Sequence, residues 1–228
     1  MINITNEDNM ELMARYEDNH FDLAIVDPPY GYGDKKTDIL NFRQKEQHRE
    51  WNVAPNEEYF KELFRVSKNQ IIWGGNYFPF IWNFGGRCFI YWHKGNPVPN
   101  FADGELAWTS FDKNAKQYNY RYYGNLEGNT SASKKFHPTQ KPVKLYEWLL
   151  MNYAQRKCDH KHEEHYRHLC TDCRNQDVKI LDTHLGSGSI AIACHNLKFD
   201  LTACELDKDY YDAAMKRLKQ HQQQLTMF

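Results

Sequence analysis

The strongest chemical pattern in the chain is Asp27-Pro28-Pro29-Tyr30-Gly31, which ends an apolar run beginning at Phe21. A carboxylate at a strand's carboxyl end, followed by two rigid prolines and an aromatic ring, makes a polar acceptor beside a stacking surface. Neither proline has a backbone donor, so nearby carbonyls are left to accept from a ligand amine. The same residues equally suit a Pro-rich turn with a capped Asp. A second pattern runs from Val178 through Asp182 into Thr183-His184-Leu185-Gly186-Ser187-Gly188-Ser189. It reads as a buried strand, a glycine turn and a helix start, with Gly188 leaving room for a ligand at the helix N-terminus. Glu205 ends the following strand, where its carboxylate can accept from ribose hydroxyls. A ligand-free turn is the alternative, and the absence of a third glycine near the helix start favours a single nucleoside over a dinucleotide. A third cluster sets Cys158, Cys170 and Cys173 among His160, His162, His165 and His168. The two-residue gap from Cys170 to Cys173 lets both thiolates face one tetrahedral ion. Cys158 and one histidine, with His162 the first choice, would complete a structural zinc site; a solvated hairpin with free thiols is the competing reading.

These groups need a frame that brings them to one edge. Short β-branched or aromatic runs alternate with helical patterns, which predicts an α/β sheet with helices on both faces. Strands are expected over 3–5, 21–27, 70–74, 87–92, 105–110, 118–123, 178–182 and 201–205. Helices are expected over 9–16, 57–67, 77–83, 142–155, 189–197 and 208–223, with Pro142 in a first helical turn. The segments 31–55, 112–136 and 156–177 read as loops, the first long enough to be functional.

The 228 residues carry 29 Lys plus Arg against 30 Asp plus Glu, a formal charge of -1 that excludes a generally basic nucleic-acid coat but not a local basic face. At 41% hydrophobic residues the chain can bury a core, which excludes a wholly disordered protein. No apolar run nears the roughly 20 residues of a membrane span, and the first residues lack a basic then apolar leader. The expectation is a soluble cytoplasmic protein with no membrane partner. Cys88, Cys194 and Cys204 sit singly in apolar segments and read as buried thiols of a reducing compartment.

Asp27-Pro28-Pro29-Tyr30, then Phe136-His137-Pro138-Thr139-Gln140-Lys141-Pro142, then Asp182 to Ser189, in that order, resemble the β group of DNA amino-methyltransferases that use S-adenosylmethionine. That group is a circular rearrangement of the common Rossmann-like methyltransferase fold. The resemblance covers nearly the whole chain and implies one methyltransferase domain over 1–228, with 156–177 as a small Cys/His-rich insertion. It implies that Asp27 and the Pro28 carbonyl accept the two hydrogens of an adenine N6 amine, with Pro29 stiffening the turn and Tyr30 stacking on the flipped base. Asp rather than Ser at position 27 points to adenine N6 over cytosine N4. The cofactor would lie against Asp8, Asp27, Lys141, Asp182, Gly186, Ser187, Gly188 and Glu205. The family's first motif carries Pro-Phe where this chain has Thr183-His184, and the middle region is shorter than in members with a large target-recognition domain.

The implied partner is double-stranded DNA. Lys35, Lys36 and Arg43 follow the catalytic motif, and Lys113, Lys116, Arg121, Lys134 and Lys135 fill the loop at 112–136; both groups are expected phosphate contacts, with solvated faces as the alternative. A homodimer is a candidate assembly. Alternative functions are methylation of cytosine N4, RNA or a protein amide on the same fold, or a catalytically silent nucleic-acid-binding module.

Overall fold

The computed structural model describes residues 1–31, 53–95, 102–123, 126–127, 140–154 and 178–225. Eight strands form one sheet in the order β1-β10-β9-β2-β3-β5-β4-β6. They are β1 (Ile2–Thr5), β2 (Leu23–Val26), β3 (Gln70–Trp73), β4 (Phe89–His93), β5 (Gly104–Thr109), β6 (Lys116–Asn119), β9 (Lys179–Asp182) and β10 (Asp200–Cys204). A short antiparallel pair, β7 (Tyr122–Tyr123) and β8 (Leu126–Glu127), stands apart. The helices are α1 (Asn9–Met13), α2 (Glu57–Val66), α3 (Val143–Tyr153), α4 (Ser189–Leu197) and α5 (Lys208–Leu225).

Alternation along each strand decides which side it feeds. Ile25, Ile71, Trp73, Ile180 and Leu201 pack with residues of α3, α4 and α5 in one core. Ala24, Val26, Ile72, Leu181 and Cys204 pack with α1 and α2 in the other. Every residue of β2 and β3 is buried, as expected of central strands covered on both faces. The chain winds outward in two directions, from β2 to β3 and from β9 to β10, while β2 and β9 themselves pair in parallel with Ala24 opposite Leu181. That pair is the switch point of the sheet, where ligand crevices open at the strands' carboxyl ends. It joins segments over 150 residues apart in sequence, so pairing and not chain order holds it together.

The mixed α/β sheet agrees with the sequence expectation, and most boundaries move by one to three residues. The helix expected over 77–83 is corrected to two 3-10 stretches, Gly75–Tyr77 and Pro79–Phe84. Pro79 removes a donor and keeps Phe78 out of the helical region, at φ -114° and ψ 89°, so one continuous α-helix cannot form. The strand expected over 118–123 divides into β6 and β7. Pro142 is the N-cap of α3, with ψ 145°, and not its first turn. Cys88, Cys194 and Cys204 are free and buried. Among the described residues no helix is long and apolar enough to cross a membrane.

Candidate active site

Asp27 leaves the carboxyl end of β2 beside the carboxyl end of β9, where Asp182 and the glycine turn begin. Its Oδ1 accepts a hydrogen bond from the Tyr30 hydroxyl at 2.8 Å, and its Oδ2 lies 2.5 Å from Nζ of Lys141. Lys141 is buried, with only 2% of its side chain exposed. The same ammonium lies 3.1 Å from Oε2 of Glu105 and 5.2 Å from the Trp73 ring centroid. Oε1 of Glu105 is in turn paired with Lys94. The result is a ladder of alternating charge, Asp27, Lys141, Glu105, Lys94, in which the buried ammonium of Lys141 is flanked by a carboxylate on either side, without which it could not be buried.

Burial pushes the Asp27 carboxyl above its ordinary range, opposed by the Lys141 charge. Burial would lower Lys141, but Asp27 and Glu105 outweigh it and leave the ammonium firmly protonated. Glu105 feels the same burial, yet Lys141 and Lys94 hold it well below the usual carboxylate range.

The Tyr30 ring stacks on Tyr77 with centroids 5.0 Å apart and 24° between planes. It lies so close to Gly74 that a Cβ there would fall 2.1 Å from Cε1 of the ring, and Gly74 has φ +66°. No other residue type fits that corner. Tyr77 is 43% exposed, so the aromatic pair reaches the surface.

On the other side of the switch point, the N–H of Gly186 donates to Oε2 of Glu205 at 2.8 Å, and Oε1 of Glu205 accepts from the N–H of Asp207 at 3.0 Å. Asp182 is buried behind this turn and accepts from the His184 N–H at 3.0 Å. Burial pushes its carboxyl up to about 8, against that hydrogen bond. Asp8 caps α1 by accepting from the Met10 N–H at 2.7 Å, and the next side chain, Asn9, lies 3.2 Å from Nε2 of His184. Burial pulls His184 down to about 3, so the ring is neutral beside Thr183 and Tyr59. The Ser187 carbonyl accepts from Arg217 at 2.8 Å. Gly188 has φ +70°, and a Cβ there would meet Ala214 of α5 at 3.1 Å. The glycine therefore serves the left-handed turn and the close packing of α5.

One hydrogen bond ties the two halves together. The Ser189 hydroxyl, at the start of α4, donates to the main-chain oxygen of Lys141 at 2.7 Å. Lys141 is thus fixed to the glycine turn by its backbone while its side chain reaches Asp27.

Strand direction sorts the expected phosphate contacts. β6 runs parallel to β4, with Lys116 opposite Ile90 and Asn119 opposite His93. Lys113 and Lys116, which precede or open β6, therefore lie at the edge of the sheet opposite Asp27. Lys113 packs over Phe111 and Tyr153 there. Arg121 follows β6 on the Asp27 side, near Gly95 and one residue before Tyr122, whose N–H donates to the Lys94 carbonyl at 3.2 Å. Lys35, Lys36, Arg43, Lys134 and Lys135 lie outside the described residues, as do Cys158, His162, Cys170 and Cys173. Among the described residues no group of three or more His, Cys, Asp or Glu could hold a metal ion. Glu105 and Lys94 were not singled out by sequence. They carry no motif, and only the reversed course of β5 brings the start of that strand to this edge.

Solved structures of similar fold include two methyltransferases. The M1.HpyAVI-SAM complex superposes with a TM-score of 0.57 over 95% of this chain and 100% of that one, at 24% identity. The PvuII DNA methyltransferase (cytosine-N4-specific) gives 0.57 over 96% and 90%, at 12% identity. The fold is therefore the Rossmann-like methyltransferase fold. In sequence, the family described as DNA methylase, of the N6/N4 type, matches residues 106–216. The type II methyltransferase M.HpaI of Haemophilus parainfluenzae is 23% identical over 92% of this chain and 71% of its own length. M2.MboI of Moraxella bovis is 23% identical over 94% and 86%. Over residues 106–216 the chain is thus similar to DNA amino-methyltransferases of the N6/N4 type, and the likeness to type II methyltransferases extends along most of its length.

Proposed function

We propose that this protein transfers a methyl group from S-adenosylmethionine to the N6 amine of adenine in double-stranded DNA. The observation that carries this reading is the Asp27 carboxyl group, paired with Lys141 and oriented by Tyr30, beside the glycine turn at the switch point. An exocyclic amine is a weak nucleophile because its lone pair is delocalised into the ring. Asp27 and the Pro28 carbonyl accept its hydrogens and localise that pair, while Tyr30 and Tyr77 offer the extruded base a stacking surface.

The residues around the glycine turn fit the cofactor by their donor and acceptor chemistry. Acceptors beyond the ends of neighbouring strands, Asp8 at the cap of α1 and Glu205 after β10, suit hydroxyl and amine donors, with the buried Asp182 behind the turn. The N-terminus of α4 and the turn Gly186-Ser187-Gly188 suit a carboxylate. When bound, the cofactor supplies an activated methyl on a cationic sulfur. Lys141, expected on the cofactor side, belongs in this reading to the acceptor carboxylate. Arg121 is the phosphate contact that the described residues support best.

The assay is direct. Incubation with unmethylated DNA and labelled S-adenosylmethionine, followed by nucleoside mass spectrometry, should yield N6-methyladenine. N4-methylcytosine as the sole product would transfer the reading to cytosine, the specificity of the PvuII enzyme.

A further inference from the structure

We propose that Glu105 is a positioning residue: by sharing the Lys141 ammonium with Asp27, it keeps the catalytic carboxylate a strong acceptor for the substrate amine. The inference rests on the function proposed above and adds to it a residue of no recognised motif. Its basis is the ladder itself. Lys141 sits between two carboxylates, 2.5 Å from Asp27 and 3.1 Å from Glu105, with 2% of its side chain exposed. A buried ammonium paired with Asp27 alone would satisfy that carboxylate fully and leave it a poor partner for an incoming N–H. A second carboxylate on the far side draws part of the charge away. Lys94 then limits how far Glu105 can pull, because it holds the other oxygen of the same carboxylate.

The groups facing Asp27 come from its own turn and from four further segments. They are Tyr30 from its own turn, Lys141 from the lead into α3, Glu105 from β5, Tyr146 from α3 and Asp182 from β9. Among these described groups Lys141 is the cation, and Glu105 is the anion that shares an ion pair with it. Removal of the Glu105 charge makes Asp27 easier to ionise. Removal of the Lys94 charge leaves Glu105 with Lys141 as its sole described cation, and so makes Asp27 harder to ionise. The two substitutions act with opposite sign.

Single-turnover methyl transfer to duplex DNA, followed across pH, reads this. Methyl transfer requires ionised Asp27, so its rate falls on the acid side as that group protonates. Glu105→Gln should move the acid limb to lower pH by roughly one unit, with a lower plateau rate. Lys94→Met should move it to higher pH. A residue that only supports the fold would change the plateau and leave both limbs in place. If the limbs of both variants coincide with wild type, the inference is overturned. If Glu105→Gln does not fold, the direction of the Lys94→Met shift alone decides. If the wild-type protein methylates no DNA at any pH while it binds S-adenosylmethionine, the proposed function fails, and the role of Glu105 fails with it.

Discussion

The two halves of the carboxyl edge solve the same problem, holding carboxyl groups at the rim of a buried core, by different means. Around Asp27 the negative charge is balanced by side chains, in the ladder that passes through Lys141 and Glu105 to Lys94. Around the glycine turn the carboxyl groups are held instead by main-chain N–H groups, with Glu205 accepting from Gly186 and Asp207 and Asp182 from His184, and burial still raises both. Side-chain charge can be retuned by one substitution, whereas a backbone cradle moves only if the turn moves. Substitutions in the first half should therefore alter rate, and those in the second should alter stability and cofactor binding.

The largest contrast is expected from Asp27→Asn. It keeps the shape of the side chain but loses the acceptor charge, so methyl transfer should fall by about 100-fold or more while cofactor affinity, measured by calorimetry, stays within several-fold. Equal losses of both would erase the division between the halves. Gly74→Ala should come next. The added Cβ meets the Tyr30 ring and the residue must hold φ +66°, so the ring is displaced and stability drops by roughly 1–2 kcal/mol, seen as a lower thermal midpoint together with slower transfer.

A smaller effect separates the halves by pH. A carboxyl whose folded-state value lies above its unfolded value binds more protons when folded, so stability falls as pH rises between the two values. Asp182, pushed up to about 8 from an unfolded value near 3.9, should therefore cost stability progressively over that window. Asp182→Asn should flatten the decline of the thermal midpoint with rising pH; a decline of unchanged slope would mean that another group causes it. The smallest effect contrasts the two edges of the sheet. Arg121→Glu should reduce the salt dependence of DNA binding by about one unit of slope, whereas Lys116→Glu, at the far edge, should leave it unchanged.

The parts of the site legible in sequence were those that local chemistry marks. Asp27 to Tyr30 stand at the end of an apolar run, and the turn from Asp182 to Ser189 carries its own strand, glycines and helix start. Burial of Lys141 could not be read, because a lysine before a proline looks solvated until its carboxylates are in place. Glu105 follows a glycine in an alternating run, where a charge ordinarily marks the solvent face; its role depends on β5 running against β3. The same blindness to strand direction grouped Lys113 and Lys116 with Arg121, although the sheet sets them at opposite edges. The helix expected over 77–83 had the apolar spacing, but Pro79 outweighed it.

The bond from Ser189 to residue 141 ends on a main-chain oxygen. No substitution of the lysine can therefore cut the strap between the two halves, and no substitution of the serine can remove the ammonium. Attachment and charge, though both pass through one residue, are genetically separable, one addressed at position 189 and the other at position 141.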